Sequence, residues 1–396
     1  MKLKLDYSDI KFQNNGKLKL LIIVGTRPEI IRLAAVINKC RLYFDTILAH
    51  TGQNYDYTLN GIFFRDLKIK DPDVYMDAVG DDLGATIGNI INASYKLMNT
   101  IKPDALLVLG DTNSCLSVIS AKRLHIPIFH MEAGNRCFDE CLPEETNRKL
   151  VDTISDVNMC YSEHARRYLN ASGVAPQRTY VIGSPMAEVL SQNMEAIETC
   201  DIHKRLGLEK GKYILLSAHR EENIETDRNF FKLFTAINKL AEKYDMPILY
   251  SCHPRSRKKL EQTGFELDRR VIRHEPLGFI DYNCLQMNAY VVVSDSGTLP
   301  EESAFFTSIG RPFPAICIRL STERPEALDQ GNFVLAGIDE KALLQAVETA
   351  IEMKKNKDFG SPVLNYKDLN TSVKVIKLIQ SYSGIIEKVV WKEYLE

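Results

Sequence analysis

Residues 130–148 read HMEAGNRCFDECLPEETNR and bring several acidic side chains together with two arginines. They follow a short apolar run at 126–129, which predicts a buried strand, and they lead into a helix whose first turn suits Pro143. The charged residues of this segment are Glu132, Arg136, Asp139, Glu140, Glu144, Glu145 and Arg148. Carboxylates at the carboxyl end of a parallel strand lie where open α/β sheets bind ligands. The segment therefore predicts an acid–base site, with an ordinary solvated loop as the alternative.

The same succession of apolar strand, polar turn and helix recurs outward from this segment in both directions. The predicted strands are 18–24, 46–50, 105–109, 126–130, 156–160, 179–182, 213–218, 248–252, 290–294 and 316–319. Such alternation predicts parallel sheets with helices on both faces. The pattern loosens near residues 190–200 and then restarts, and 396 residues exceed one ordinary core.

The sequence thus predicts an α/β protein of two Rossmann-like, doubly wound domains that face a cleft. The expected first domain is 1–195 and the expected second domain is 196–371, with a C-terminal helix at 372–396 packing back on the first. Residues 1–17 are expected to form a loosely ordered leader, because they are polar.

Composition limits the possible partners and the compartment. The chain has 45% hydrophobic residues, 26% charged residues and a formal net charge of −2, with no long basic run, which argues against nucleic acids and membrane surfaces. No apolar segment is long enough to span a bilayer, and the N-terminus lacks the apolar core of a signal peptide. Nine cysteines without a CxxC pair indicate a reducing cytoplasm and no structural metal.

The first half offers an anion-binding corner and a further acid. Gly25-Thr26-Arg27 lies between the first strand and a helix, where free N–H groups and the helix dipole favour an anion. Arg27 and Arg32 can add charge-assisted bonds to a phosphate. This is neither a Walker loop nor a GxGxxG motif, so a plain β–α turn is the alternative. Asp111 follows a strand at the same edge, with a simple helix cap as its alternative role.

The second half offers the contacts that a nucleotide diphosphate needs. Ser296-Gly297-Thr298 opens a helix and forms a second anion corner, and Glu302 can accept hydrogen bonds from a ribose diol. Phe279 can pack on a base, although a core position is an equal alternative. Donors at neighbouring strand ends are His219, His253, Arg255, Arg319 and Arg324.

Several short motifs together give the chain a family resemblance across residues 18–385. They are GTRPEIIRL at 25–33, TGQNYD at 51–56, LGDTNS at 109–114, HMEAGNR at 130–136, PEETNR at 143–148, SAHREEN at 217–223, SDSGT at 294–298 and STERPEA at 321–327. In this order they resemble the non-hydrolysing UDP-N-acetylglucosamine 2-epimerases. The forms of the motifs are most similar to the subgroup that makes UDP-N-acetyl-L-fucosamine from a UDP-linked 6-deoxy-talosamine sugar for capsule or O-antigen synthesis.

The resemblance implies a GT-B-like fold, a UDP-linked N-acetylhexosamine as substrate, no cofactor and a homodimer in the cytoplasm. It implies Asp111, Glu132 and Glu144 as catalytic acids, with His219 and Arg27 at the diphosphate and the sugar. Ser296, Gly297 and Glu302 match its nucleotide-binding positions. We add Arg32, Arg136, His253, Phe279, Thr298, Arg319 and Arg324 as candidate substrate contacts. The implied reaction inverts C2 by elimination and re-addition of UDP.

Two departures from the family pattern bear on substrate choice. Arg32 stands where many members have lysine, so a planar guanidinium group replaces a compact ammonium charge. Thr298 stands where many members have a second glycine. The alternatives are a UDP-N-acetylglucosamine/UDP-N-acetylmannosamine 2-epimerase, a GT-B glycosyltransferase, a hydrolysing epimerase and a nucleotide-sugar-binding protein without turnover.

Overall fold

In the computed structural model, which describes residues 3–52 and 63–392, all strand pairs are parallel and fall into two sheets. Each sheet belongs to one compact unit of the chain. The first unit is Met1–Val189 together with Asp368–Glu396, and the second unit is Leu190–Lys367.

The sheet of the first unit has seven strands in the order β3-β2-β1-β4-β5-β6-β7. Its strands are β1 (Lys19–Val24), β2 (Asp45–His50), β3 (Val74–Tyr75), β4 (Ala105–Leu109), β5 (Ile128–Met131), β6 (Val157–Cys160) and β7 (Thr179–Val181). Leu20 to Val24 are fully buried, as expected of a parallel strand covered by helices on both faces. The chain adds strands on one side of β1 and then, from β4 onward, on the other, so β1 and β4 form the topological switch point.

The sheet of the second unit has six strands in the order β10-β9-β8-β11-β12-β13. Its strands are β8 (Ile214–Ser217), β9 (Ile248–Ser251), β10 (Val271–His274), β11 (Val291–Ser294), β12 (Ala315–Cys317) and β13 (Val334–Leu335). The switch point here lies between β8 and β11, which pair from Ile214↔Val291 to Ser217↔Ser294. Both sheets therefore repeat one doubly wound plan.

Helices connect the strands throughout the described chain. They are α1 (Arg27–Tyr43), α2 (Leu83–Ile101), α3 (Val118–Arg123), α4 (Pro143–Ile154), α5 (Glu163–Ala171), α6 (Met186–Gln192), α7 (Met194–Thr199), α8 (Ile202–Leu206), α9 (Glu221–Ile224), α10 (Asp227–Tyr244), α11 (Pro254–Thr263), α12 (Phe279–Met287), α13 (Leu299–Ser308), α14 (Pro325–Asp329), α15 (Glu340–Asn356) and α16 (Thr371–Ile386). Within the described ranges no helix combines the length and the apolar character that crossing a lipid bilayer requires.

The N-terminal segment is packed, and the prediction of a loosely ordered leader is wrong. Tyr7 is only 1% exposed, and it joins Phe12 in the apolar core of the first unit. The backbone N–H of Lys4 donates to the carbonyl of Met76 at 3.2 Å, and that of Asn14 donates to Oδ2 of Asp45 at 2.8 Å. Two aromatic side chains bury enough apolar area to fix a segment that is otherwise polar.

Helix α16 packs against α1 and so completes the first unit from the far end of the sequence. The Thr371 hydroxyl donates to the carbonyl of Ile182 at 3.2 Å. The buried carboxylate of Glu188 accepts hydrogen bonds from the backbone N–H of Ser372 at 2.8 Å and from its hydroxyl at 2.5 Å. These bonds hold the first turn of α16 to the segment around α6.

Candidate functional site

Glu132 directly follows β5 and occupies the left-handed region of the backbone, at a φ of 67°. Few residues other than glycine adopt this conformation, which is strained and often marks a functional position. Its carboxylate accepts a 2.6 Å bond from Nη1 of Arg32 and a 3.0 Å bond from Nδ2 of Asn135. A Cβ placed on Gly110 would lie 3.5 Å from Oε2 of Glu132. The carboxylate therefore lies beside the turn that carries Asp111.

Asp111 is held by a two-pronged contact with Arg148. Nε and Nη2 of Arg148 lie 2.8 Å and 2.7 Å from Oδ2 of Asp111, and Nη1 donates to Oε2 of Glu145 at 2.7 Å. Burial alone would raise the pKa of Glu145, but Arg148 and the backbone N–H of Cys137 hold this pKa below its ordinary value. The buried guanidinium of Arg148 thus holds both the Asp111 carboxylate, which follows β4, and the Glu145 carboxylate on α4.

Glu144 lies in the first turn of α4 and is half-buried. It precedes Asn147 by three residues and Arg148 by four, so the three share one face of the helix. Asn147 donates from Nδ2 to the carbonyl of Asp111 at 2.9 Å, and Arg148 contacts the Asp111 carboxylate. This face of α4 is therefore the one turned toward Asp111. Unlike the other two acids, Glu144 has no ion-pair partner among the described residues.

A buried ionic cluster supports these acids. Nε2 of His130 lies 2.9 Å from the carbonyl of Gly110, and its Nδ1 lies 3.1 Å from Oδ1 of Asp152. Burial alone would lower the pKa of His130, but Asp152 and the Gly110 carbonyl outweigh it, and the pKa is raised. Arg136 is buried and donates from Nη1 to Oδ2 of Asp152 at 2.7 Å. Arg136, a candidate substrate ligand, is therefore paired with Asp152 inside the protein.

The predicted anion corner at the start of α1 is built around a buried residue that we did not single out. The side chain of Glu29 accepts hydrogen bonds from Gly25 and Thr26. Arg27 is half-buried, and its guanidinium carbon lies 5.8 Å from the ring centre of Phe63. Arg32, one turn further on, reaches Glu132 instead of the corner itself.

In the second unit, Asp295 fixes the segment that carries His219. The carboxylate is fully buried at the end of β11 and accepts the backbone N–H groups of His219 and Arg220, each at 2.9 Å, and Nδ2 of Asn223 at 3.1 Å. Nδ1 of His219 lies 3.2 Å from Oδ1 of Asp295, whereas the side chain of His219 is 43% exposed. An exposed imidazole is therefore held at the switch point of the second sheet.

The structure brings together Ser296, Gly297, Thr298 and Glu302 at the start of α13. The hydroxyls of Ser296 and Thr298 lie 2.9 Å apart, and the Thr298 hydroxyl donates to Oε1 of Glu302 at 2.7 Å. Nε2 of Gln286 donates to Oε2 of Glu302 at 2.7 Å. Protein donors therefore orient both carboxylate oxygens of Glu302.

Two predicted substrate arginines are engaged inside the second unit. Arg319 donates to both carboxylate oxygens of Glu323, at 2.6 Å and 3.1 Å, and to Glu222 at 3.1 Å. Arg324 donates to Oε1 of Glu301 through Nε at 2.9 Å, with Nη2 2.8 Å away. Both side chains are about 2% exposed. Their first role here is to organise the loop before α14.

The remaining candidates are His253, Phe279 and the motif TGQNYD. His253 caps α11 by accepting the backbone N–H of Arg255 at 3.4 Å, and it is half-buried. Phe279, the first residue of α12, is buried, as expected of a core position. Most of the predicted motif TGQNYD, from 53 to 56, lies outside the described residues.

Sequence reasoning missed the groups that hold the candidate acids and the candidate imidazole in place. Glu29, Arg148, Asp152 and Asp295 are charged residues that lie next to or within the quoted motifs. The available signal was the position of Glu29 on the first turn of α1 and of Asp295 directly after β11, whereas Arg148 and Asp152 lie further along α4. The residues that they contact, however, lie in distant segments of the sequence, so a local sequence pattern does not predict these contacts.

Comparisons with known proteins agree with this geometry. A family model described as UDP-N-acetylglucosamine 2-epimerase matches residues 38–380. The UDP-N-acetylglucosamine 2-epimerase of Methanococcus maripaludis is 33% identical over 372 residues, which cover 91% of this chain and 98% of the relative.

Two solved structures are similar over nearly their full length. The UDP-N-acetylglucosamine 2-epimerase of Rickettsia bellii is 42% identical, with a TM-score of 0.88 and coverage of 95% of this chain and 100% of that one. The enzyme of Methanocaldococcus jannaschii, in complex with UDP-GlcNAc and UDP, is 30% identical, with a TM-score of 0.84 and coverage of 92% and 100%. The predicted fold class, GT-B-like with two parallel-sheet α/β domains, is thereby confirmed.

The Arg148 contacts predict a large loss of stability on removal of its charge. In Arg148→Met the carboxylates of Asp111 and Glu145 lose their buried guanidinium, which costs about 3–5 kcal/mol of unfolding free energy. Arg166→Met removes an exposed pair with Glu163 and should cost no more than about 1 kcal/mol. Urea unfolding followed by circular dichroism compares the two, and equal losses would contradict the assignment.

Proposed function

The chain belongs to the UDP-N-acetylglucosamine 2-epimerase family, whose members are isomerases, and from that premise we propose that it inverts C2 of UDP-2-acetamido-2,6-dideoxy-L-talose to give UDP-N-acetyl-L-fucosamine. The observation that supports the chemistry most directly is the gathering of Asp111, Glu132 and α4 around one edge of the first sheet. The alternative is the interconversion of UDP-N-acetylglucosamine and UDP-N-acetylmannosamine, and the relatives are named for the first of these sugars.

The reaction must overcome the weak acidity of the proton at C2 of an acetamido sugar. A base removes this proton while the C1–O bond breaks, its electron pair leaving with UDP, and a C1=C2 double bond forms. UDP then adds back to C1, and an acid protonates C2 from the opposite face. Acid–base groups are thus needed on both faces of the ring, together with donors for the departing diphosphate.

The first unit supplies the acid–base groups of this proposal. Glu132 and Asp111 are each bonded to an arginine, which fixes the direction of the carboxylates. Glu144 lies on the helix face turned toward Asp111 and has no such ion pair among the described residues. The three acids therefore differ in their surroundings, as groups that exchange protons in opposite directions must.

Nucleotide binding is assigned to the second unit. The Ser296-Gly297-Thr298 corner at the start of α13 suits a diphosphate, and Glu302 suits the ribose hydroxyls. The exposed imidazole of His219, held by Asp295, is a further donor for the leaving group. No cofactor is required, because the substrate supplies its own leaving group.

The finer substrate assignment rests on sequence features of the site. The forms HMEAGNRCFDECLPEETNRK and SAHREENIE and the substitutions Arg32 and Thr298 set this chain apart from the general pattern. The Arg32 fork acts directly on Glu132. We extend the proposal to a homodimer in the cytoplasm that serves capsule or O-antigen synthesis, and the nine free cysteines are consistent with that compartment.

Neutralising any one of the three acids should lower turnover. Asp111→Asn, Glu132→Gln and Glu144→Gln each remove a proton-transfer group, and we expect kcat to fall at least ~100-fold. Glu140→Gln changes an exposed carboxylate of the same segment and should keep the parental rate. NMR spectra that resolve the anomeric protons of the substrate and the product measure the rates. Near-parental rates in all three variants, each stably folded, would contradict the assignment of these acids to the reaction.

The elimination route predicts exchange at C2. In D₂O the product should carry deuterium at C2, because the proton returned to the ring comes from an acid that has exchanged with solvent. Mass spectrometry and proton NMR of the product measure this incorporation. Product that retains the original hydrogen would exclude the route, whichever residues serve it.

The substrate assignment predicts a preference between two nucleotide sugars. The 6-deoxy-L-talo substrate should be epimerised with a kcat/KM at least about tenfold above that of UDP-N-acetylglucosamine, since the site must discriminate at C5 and C6. An NMR time course with each sugar alone, without any acceptor, measures both rates. The opposite ratio would favour the alternative substrate pair and leave the reaction type standing.

A further inference from the structure

Glu29 is a buried carboxyl group that the proposed reaction does not use. It lies on the first turn of α1, is 1% exposed, and accepts hydrogen bonds from the Gly25 N–H at 3.0 Å, the Thr26 hydroxyl at 2.7 Å and the Ser114 hydroxyl at 2.5 Å. All three donors are neutral, and no cation forms an ion pair with Glu29 in the described part of the chain. Burial raises its pKa, and the three donors oppose that rise. Because burying a carboxyl group without a cationic partner costs folding free energy, we look for a role of Glu29 beyond packing.

The donors come from two strand exits that are neighbours at the switch point. Gly25 and Thr26 follow β1, whereas Ser114 follows β4 and comes three residues after Asp111. Ser114 is fully buried, and its hydroxyl also lies 2.7 Å from that of Thr112. A single carboxylate therefore links the turn that carries Arg27 to the turn that carries Asp111.

Glu29 also changes the use of the Thr26 hydroxyl. Thr26 is the N-cap residue of α1, where a hydroxyl ordinarily accepts a bond from a helix N–H. Here the hydroxyl donates to Glu29, and Thr26 makes no side-chain capping bond. The N–H groups of the first turn of α1 therefore receive no capping bond from the Thr26 side chain.

We propose that Glu29 is a positioning residue of the epimerase, which acts through Ser114 and Thr26 to hold the anion corner and Asp111 in fixed relation. The proposal rests on the function proposed above. Loss of the link lets the two turns move independently, so that both the grip on the substrate and the alignment of the acid suffer. Misplacement of reacting groups by about 1 Å is enough to reduce rates on the order of a hundredfold.

Two substitutions and a matched control test this role. Ser114→Ala deletes the bond that joins the two exits, and Glu29→Gln replaces one accepting oxygen by an amide group. The control Glu188→Gln alters another buried carboxylate of the same unit, one that accepts two bonds from Ser372 far from the acids in sequence. We expect kcat/KM to fall about ten- to a hundredfold in the first two, with KM raised and kcat lowered.

The control should remain within about twofold of the parental kcat/KM, and the double variant should be no worse than the poorer single variant, because both changes break one link. Circular dichroism and thermal melts identify any variant that fails to fold. Folded Glu29→Gln and Ser114→Ala variants with the parental kcat and KM would overturn the proposal. A parental chain that epimerises neither UDP-sugar would instead refute the proposed function.

Hydrogen–deuterium exchange gives a readout that does not depend on turnover. In Ser114→Ala the segments 20–30 and 108–118 should both exchange faster than in the parental chain, because each loses its tie to the other. Glu188→Gln should leave the exchange of these segments unchanged. Unaltered exchange in Ser114→Ala would show that the link does not hold the two turns, and it would overturn the proposal independently of any assay.

Discussion

A buried carboxylate that joins two neighbouring strand exits is the interaction on which both candidate sites depend. In the first sheet Glu29 connects the exits of β1 and β4, and in the second sheet Asp295 connects those of β11 and β8. Each carboxylate crosses the switch point, where parallel sheets open a crevice for ligands. Donors and acids around a ligand are effective when they are held in place before it arrives. The same physical device thus holds the proposed acid–base groups of one unit and the proposed diphosphate-binding residues of the other.

Central elements of the fold were predictable, because their sequences carry the signal locally. The strand Ala105–Leu109 has the predicted bounds, since an uninterrupted apolar run defines it. The edge strands Val74–Tyr75 and Val334–Leu335 were not predicted, because two residues show no periodicity. The packed N-terminal segment was mispredicted since the burial of Tyr7 depends on a core assembled from distant segments.

The candidate site also has features that the sequence predicted and features that it did not. The positions of Asp111, Glu132 and Ser296 at strand exits followed from the sequence, because each comes within two residues of an apolar strand. Their partners did not follow: Arg32 and Glu132 are 100 residues apart, and Arg148 and Asp111 are 37 apart. The internal carboxylates that bind Arg136, Arg319 and Arg324 were not predicted either, although a charge that folding buries must find a partner.

The return of α16 to the first unit has a consequence for biosynthesis. The whole of the second unit is translated before residues 371–386 leave the ribosome, so the nascent first unit must wait without the helix that covers α1. During that interval the part of α1 that packs against α16 lacks its final cover. Cotranslational folding of the acid-bearing unit is therefore completed only after its neighbour has been made.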